Sequence, residues 1–220
     1  KFLPENCNGT LNKWIISKVS AVVIKISKGI EDYKFNEAAS LAYQFTWGTF
    51  CDWYIELAKP IFYGDDSSLK AETQLTAGWG LGQLVHLLHP FMPFITEELW
   101  GELSDNQGPM LVVSSWPDLG DLTDVDAEEE IDWVIQLITQ VRSIRSEINI
   151  SDGLKIPLIL KNNPPHTINY IERHGELIKR LAQLEKVENS DDDIPEGAVQ
   201  SAFGAITLII PLEESVNMQQ

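Results

Sequence analysis

Lys13, Trp14 and Lys18 are the residues in this chain best suited by type and spacing to nucleic-acid recognition. An indole stacks on an unpaired base, and lysines about one helical turn apart can each meet a phosphate. Trp14 also opens an apolar helical stripe, so its ring has two destinations, a base or the protein interior. Trp79, set among Gly78, Gly80 and Gly82, is a second candidate of this kind, again with core packing as the alternative. Arg142 and Arg145 carry guanidinium forks that suit RNA phosphate or another part of a longer polypeptide. Pairing with Glu147 or another carboxylate is the internal use of the same groups.

Enzymatic signatures are absent from the sequence. There is no phosphate-cradling glycine loop, no Gly-x-Ser-x-Gly and no histidine pair at metal-binding spacing. His86 and His89 share a helix face but are followed by proline, which fits core or capping groups. No catalytic, cofactor-binding or metal residue is assigned. Cys7 and Cys51 stand far apart with no zinc or redox spacing; Cys51, among aromatics, reads as a buried small hydrophobe and Cys7 as a free thiol in a polar lead-in.

A formal charge of −17 over 220 residues argues against general nucleic-acid binding. The distribution qualifies this: residues 1–34 carry six lysines against Glu5, Glu31 and Asp32, whereas residues 71–141 contain no lysine or arginine. A polyanion is therefore confined to one part of the surface. No apolar run is long enough to span a membrane and no leader pattern is present, so a non-membrane, cytoplasmic protein is expected.

These side chains need a scaffold, and the hydrophobic periodicity supplies one. A helix from Thr10 or Asn12 to about Lys28 buries Trp14, Ile15, Val19, Val22, Val23 and Ile26. A second, capped by Asn36, runs to Lys59, where Pro60 should stop or kink it. On it Phe50, Trp53, Tyr54 and Leu57 form one buried aromatic face. A third spans residues 69–88 despite its glycines, and a fourth spans residues 95–103. Residues 110–113 read as extended. An acidic linker at 118–126 separates this helical domain, 1–117, from a small α+β domain, 127–220. There a helix over 127–148 precedes a strand at 154–160, with Pro157 favouring a sheet edge. A helix over 164–184, a weak strand at 184–188 and a hairpin about Gly204 complete it.

Two stretches carry a family resemblance. His-Leu-Leu-His-Pro-Phe-Met-Pro-Phe-Ile-Thr-Glu-Glu-Leu-Trp (86–100) is a helix-break-helix corner. Phe-Thr-Trp-Gly-Thr-Phe-Cys-Asp-Trp-Tyr-Ile-Glu-Leu-Ala-Lys (45–59) is an aromatic-rich helix ending in Glu-x-x-Lys. Together they resemble the anticodon-binding domain of the class I valyl-, isoleucyl- and leucyl-tRNA synthetases. Val-Arg-Ser-Ile-Arg-Ser-Glu-Ile-Asn-Ile (141–150) resembles the valyl group most closely.

The resemblance implies a mainly α chain: the helical-bundle anticodon-binding domain of class I synthetases, followed by a small α+β domain. Its work would be to hold the anticodon stem-loop of tRNA-Val, with the helix bearing Lys13, Trp14 and Lys18 beside the anticodon loop. His-Ile-Gly-His and Lys-Met-Ser-Lys-Ser, the class I motifs that handle ATP, do not occur. ATP and Mg would thus belong to a catalytic domain elsewhere in the same polypeptide, and this part would have no chemistry of its own. The opening at Lys1 rather than methionine fits such an excised portion, expected to be monomeric. Two alternatives are an isoleucyl enzyme and an acidic helical protein-interaction module that binds no RNA.

Overall fold

The computed structural model describes residues 2–105, 108–151, 153–190, 192 and 194–211. The chain divides into two compact units, Lys1–Ile131 and Asp132–Gln220. The division falls within one helix, while residues 118–126, read as a linker, belong to the first unit. The architecture is mainly α, with a small α+β region at its C-terminal end. No described helix is long and apolar enough to cross a membrane.

In the first unit α1 (Thr10–Glu31) packs against α2 (Phe35–Gln44) and α4 (Ser67–Leu88). The apolar stripe of α1 expected from its spacing is buried, Trp14 included. Its cap differs: Gly9 occupies the N-cap, while Asn12 is fully buried inside the helix. Asp66 caps α4 with its carboxylate, which accepts from the backbone N–H of Ser68 and Leu69, both at 3.0 Å. Lys34, not Asn36, is the N-cap of α2, and it makes no side-chain cap.

Between α2 and α3 (Glu56–Tyr63) the backbone winds as a π-helix, Phe45–Ile55. Its wider i→i+5 repeat changes which residues share a face. Phe45, Phe50 and Tyr54 are therefore the buried set, and Trp53, expected to be fully inside by α spacing, is only half-buried. The same geometry leaves Cys51 half-buried, whereas Cys7 is buried with its thiol 3.6 Å from Thr76 Oγ1, the reverse of the sequence reading. Burial pushes the Cys7 thiol above its ordinary value of 9.0, a shift the Thr76 hydrogen bond opposes. Pro60 does not stop the helix: it lies within α3, which continues to Tyr63.

Gly80 is the glycine of α4 that packing demands, since a Cβ there would meet a ring carbon of Phe50 at 2.8 Å. Gly78 has nothing within 4 Å of that position. At the proline corner His89 is αR, contrary to the bias expected before Pro90, and caps the C-terminus of α4. Its Nδ1 lies 2.8 Å from Thr96 Oγ1 in α5 (Pro93–Leu103), which opens with Pro93 in its first turn. Residues 110–113 are not extended. Leu111–Val113 form a 3-10 turn because the Glu97 carboxylate accepts from the N–H of Leu111 and Val112, at 2.6 and 3.1 Å.

In the second unit β1 (Ile156–Lys161) and β2 (Leu184–Asn189) are parallel, joined through α7 (Pro165–Ala182). β4 (Ile206–Ile210) pairs antiparallel with β1 and with β3 (Val199–Phe203), in the order β2-β1-β4-β3. Gly204, at φ +59°, turns the hairpin. β1 is thus central, which corrects the edge expected from Pro157. Proline is tolerated there because the β1–β2 register shifts between Ile156 and Leu158, and pairing to β4 starts only at Ile159. Trp133 meets Tyr170 and Phe203, with ring centroids 5.7 and 5.8 Å apart.

Candidate nucleic-acid interface

The polar stripe of α1 runs Lys13, Ser17, Lys18 and Ser20, and residues 120–128 lie along it. Ser20 Oγ donates to the Gly120 carbonyl at 2.8 Å and accepts from the N–H of Leu122. Ser17 Oγ donates to Glu128 and accepts from the N–H of Asp124. Lys13 pairs with Asp124 at 3.2 Å, and Lys18 pairs with Glu128 at 2.9 Å. Asp124 also accepts from the N–H of Ala127 at 2.9 Å, which caps α6 (Val125–Glu147). The acidic segment therefore straps α1 and starts the next helix.

Both strap carboxylates are held ionised. Asp124 lies below its ordinary value of 3.8, chiefly through the Ala127 hydrogen bond and with help from Lys13. For Glu128 burial opposes ionisation, but hydrogen bonds from Ser17 and Lys18 and the charges of Lys18 and Lys25 outweigh it, leaving the group below 4.5.

Trp14 is 2% exposed, so its ring faces the core and presents no surface to a base. That corrects its candidacy as a stacking platform. The spacing that made it conspicuous beside Lys13 is the same spacing that buries it, because it shares a face with Val19, Val22 and Ile26. The Lys13 side chain is 41% exposed and stands at a cleft of about 530 Å³ lined by Pro4, Asn6, Asn8, Thr123 and Asp124 among others. Lys18 is less accessible, at 24%. Trp79 is half-buried against Phe2, with ring centroids 6.0 Å apart.

Behind this face lies a polar network that sequence reasoning missed. The Glu72 carboxylate accepts from the N–H of Asn8 at 3.0 Å and Gly9 at 2.9 Å, and from Asn12 Nδ2 at 2.8 Å. It thereby supplies from another helix the capping that α1 lacks locally. Burial raises its carboxyl, but these hydrogen bonds prevail and it lies below 4.5. Asn12 also donates to Thr73, and Tyr54 donates to the Thr73 carbonyl, its own ionisation pushed far up by burial. His86 Nδ1 lies 3.0 Å from the Gly82 carbonyl and packs edge-on against Trp100. Among the described residues no cluster of histidine, cysteine and carboxylate side chains could hold a metal ion.

Arg145 is a structural residue. Only 5% exposed, it donates to the carbonyls of Gln183, Ser151 and Leu154 and to Gln183 Oε1, at 2.8 to 3.1 Å. Arg142 Nε donates to the Leu181 carbonyl at 2.9 Å. Both groups thus serve the C-terminal ends of α6 and α7, where unpaired carbonyls and the helix dipoles favour cations. Arg145 is corrected as an open phosphate contact, because it is buried among these carbonyls. Arg142 remains exposed at the edge of a cleft of about 600 Å³.

Residues 12–160 match the family model for the anticodon-binding domain of tRNA ligase. The chain is 41% identical over 222 residues to a valine–tRNA ligase of Brucella suis, covering 99% of this chain and 24% of that protein. It is 39% identical to those of Rhizobium meliloti and Caulobacter vibrioides, again over 99% of this chain and 23% and 24% of theirs. The chain thus spans about a quarter of the length of the curated relatives it matches.

Proposed function

Because the chain belongs to the anticodon-binding domain family of tRNA ligases, we propose that it holds the anticodon stem-loop of tRNA-Val as part of a valine–tRNA ligase. The observation that carries this is the family match over residues 12–160, together with about 40% identity to valine–tRNA ligases along almost the whole chain. The isoleucyl alternative and the acidic interaction module have no comparable support. Valine activation with ATP and Mg would be the task of a catalytic portion of the same polypeptide, in the cytoplasm, with this part acting as a monomer on one tRNA.

Lys13 is the best-placed phosphate contact of the original set. It is partly exposed, and its partner Asp124 is partly exposed too, so an RNA phosphate can exchange for the carboxylate at little net cost. Trp79 is a secondary contact, Lys18 contributes positive potential from behind Glu128, and Arg142 is a separate candidate on the second unit. The acidic remainder restricts RNA to this region and makes binding weak and salt-sensitive.

Titration with tRNA-Val and tRNA-Ile at two salt concentrations, beside an unrelated acidic protein, tests the reading. Preferential binding of tRNA-Val that weakens with salt is expected. Equal binding of both tRNAs would remove the valine assignment, and binding no better than the acidic control would remove the RNA-holding role.

A further inference from the structure

Asn8–Gly9, the one Asn–Gly pair in the sequence, lies just ahead of α1, with Gly9 as the N-cap. An asparagine followed by glycine is chemically labile, because no Cβ on the second residue hinders its backbone nitrogen from reaching the side-chain carbon of the first. Asn8 is exposed and lies on the wall of the Lys13 cleft, so water reaches it. Packing keeps the glycine in place: a Cβ at position 9 would meet Leu69 Cδ1 at 2.8 Å and Glu72 Oε1 at 3.1 Å.

The Glu72 carboxylate that caps α1 also clasps this pair. Its Oε2 accepts from the Asn8 N–H at 3.0 Å, and its Oε1 accepts from the Gly9 N–H at 2.9 Å. Asn8 Nδ2 donates to the Asn6 carbonyl at 3.4 Å. Attack on Asn8 requires the Gly9 nitrogen to give up its proton and swing toward Asn8 Cγ. A carboxylate held against that N–H disfavours the amide anion, and the two bonds to one carboxylate fix the backbone on both sides of the Asn8 Cα.

We propose that Asn8 is a deamidation site gated by the Glu72 clasp, so that the rate follows how often the clasp opens. In the open state the Gly9 nitrogen loses its proton, bonds to Asn8 Cγ and expels Nδ2 as ammonia, closing a five-membered succinimide. Water then adds to either ring carbonyl and breaks its bond to that nitrogen, leaving aspartate or isoaspartate. One water is consumed and one ammonia released, with no change of oxidation state. Isoaspartate lengthens the backbone by one methylene next to the N-cap, so both N–H groups no longer meet Glu72 together. Either product adds a negative charge to the wall of the Lys13 cleft.

The test incubates the 220-residue chain in mildly alkaline buffer, native or in denaturing urea. Peptide mass spectrometry follows the Asn8 amide, and enzymatic methyl labelling identifies isoaspartate. Asn189, followed by Ser190 in the second unit, serves as an internal clock. In urea Asn8 should react faster than any other asparagine, and in the native chain about tenfold or more slower, because bonds to a charged acceptor must first break. Glu72→Gln offers one acceptor oxygen in place of two and should speed the native reaction at Asn8 while leaving Asn189 at its parental rate. If Asn189 quickens as well, that variant has unfolded, and Glu72→Asp, which keeps the charge but falls one methylene short, takes its place with the same expectation. An Asn8 amide that persists in urea overturns the site. Equal native and denatured rates, or a parental rate at Asn8 in a folded Glu72 variant, overturn the gate.

Discussion

The candidate RNA-contacting cations of the two units meet different surroundings. In the helical unit Lys13 and Lys18 pair with carboxylates that are partly open to solvent. In the α+β unit Arg145 is enclosed, and its guanidinium donates to several backbone carbonyls. An exposed lysine–carboxylate pair is weak and exchangeable, so an incoming phosphate can displace the acid. A buried guanidinium with several hydrogen bonds has no such freedom, since moving it would leave both itself and the carbonyls unsatisfied. Availability for RNA therefore follows burial, not charge, even though all these residues looked alike as candidates.

The largest effect that can break this contrast is at Arg145. Arg145→Ala should destabilise the chain by about 3 kcal/mol or more, through loss of hydrogen bonds from a charged donor to buried carbonyls. Urea unfolding measures it. A variant with parental stability but reduced RNA affinity would return Arg145 to the RNA-contact set.

Next in size, Gly80→Ala should cost about 1–3 kcal/mol, because its methyl group would press on Phe50 across the bundle. Gly78→Ala has open space and should stabilise by up to about 1 kcal/mol through helix propensity. Equal melting temperatures for the two would mean that the α4 to π-helix packing is looser than the 2.8 Å approach implies.

Acid should then loosen the strap and the α1 cap. Glu72 and Glu128 sit below 4.5 in the folded chain, so each binds a proton more readily when unfolded. Their contribution is fully present above 4.5 and is lost as pH falls through the lower folded-state values. The melting temperature should drop on acidification, and Glu72→Gln with Glu128→Gln should flatten that drop. An unchanged pH profile in the double variant would show that neither the cap carboxylate Glu72 nor the strap carboxylate Glu128 carries this stability.

The smallest expected change is Lys13→Ala, below about 1 kcal/mol in stability for a partly exposed pair. Against RNA it should reduce the salt-dependence slope by about 0.7 to 0.9 unit while affinity falls modestly. A parental slope would remove Lys13 from the RNA face and leave it a strap residue alone.

Local rules read much of the fold correctly. The stripe of α1, the helix-break-helix corner over 86–100 and the turn at Gly204 all depend on neighbours a few residues away, so their signals lie in adjacent letters. The π-winding over Phe45–Ile55 did not announce itself, because the aromatic spacing fits an α repeat equally well. Pro157 pointed to an edge for a similar reason: the register shift that accommodates it is made with a strand nearly 30 positions later.

For the candidate site, sequence by itself determined which residue types were present, the lysine surplus of residues 1–34 and the membership that the two hallmark stretches announce. Only the tertiary structure decided what each charge faces. Trp14 went to the core, Arg145 to the helix ends and Lys13 to a carboxylate 111 residues away. Helix formation is governed by hydrogen bonds and propensities within a few residues, whereas burial and charge pairing depend on which distant segments the closed bundle brings within a few ångströms.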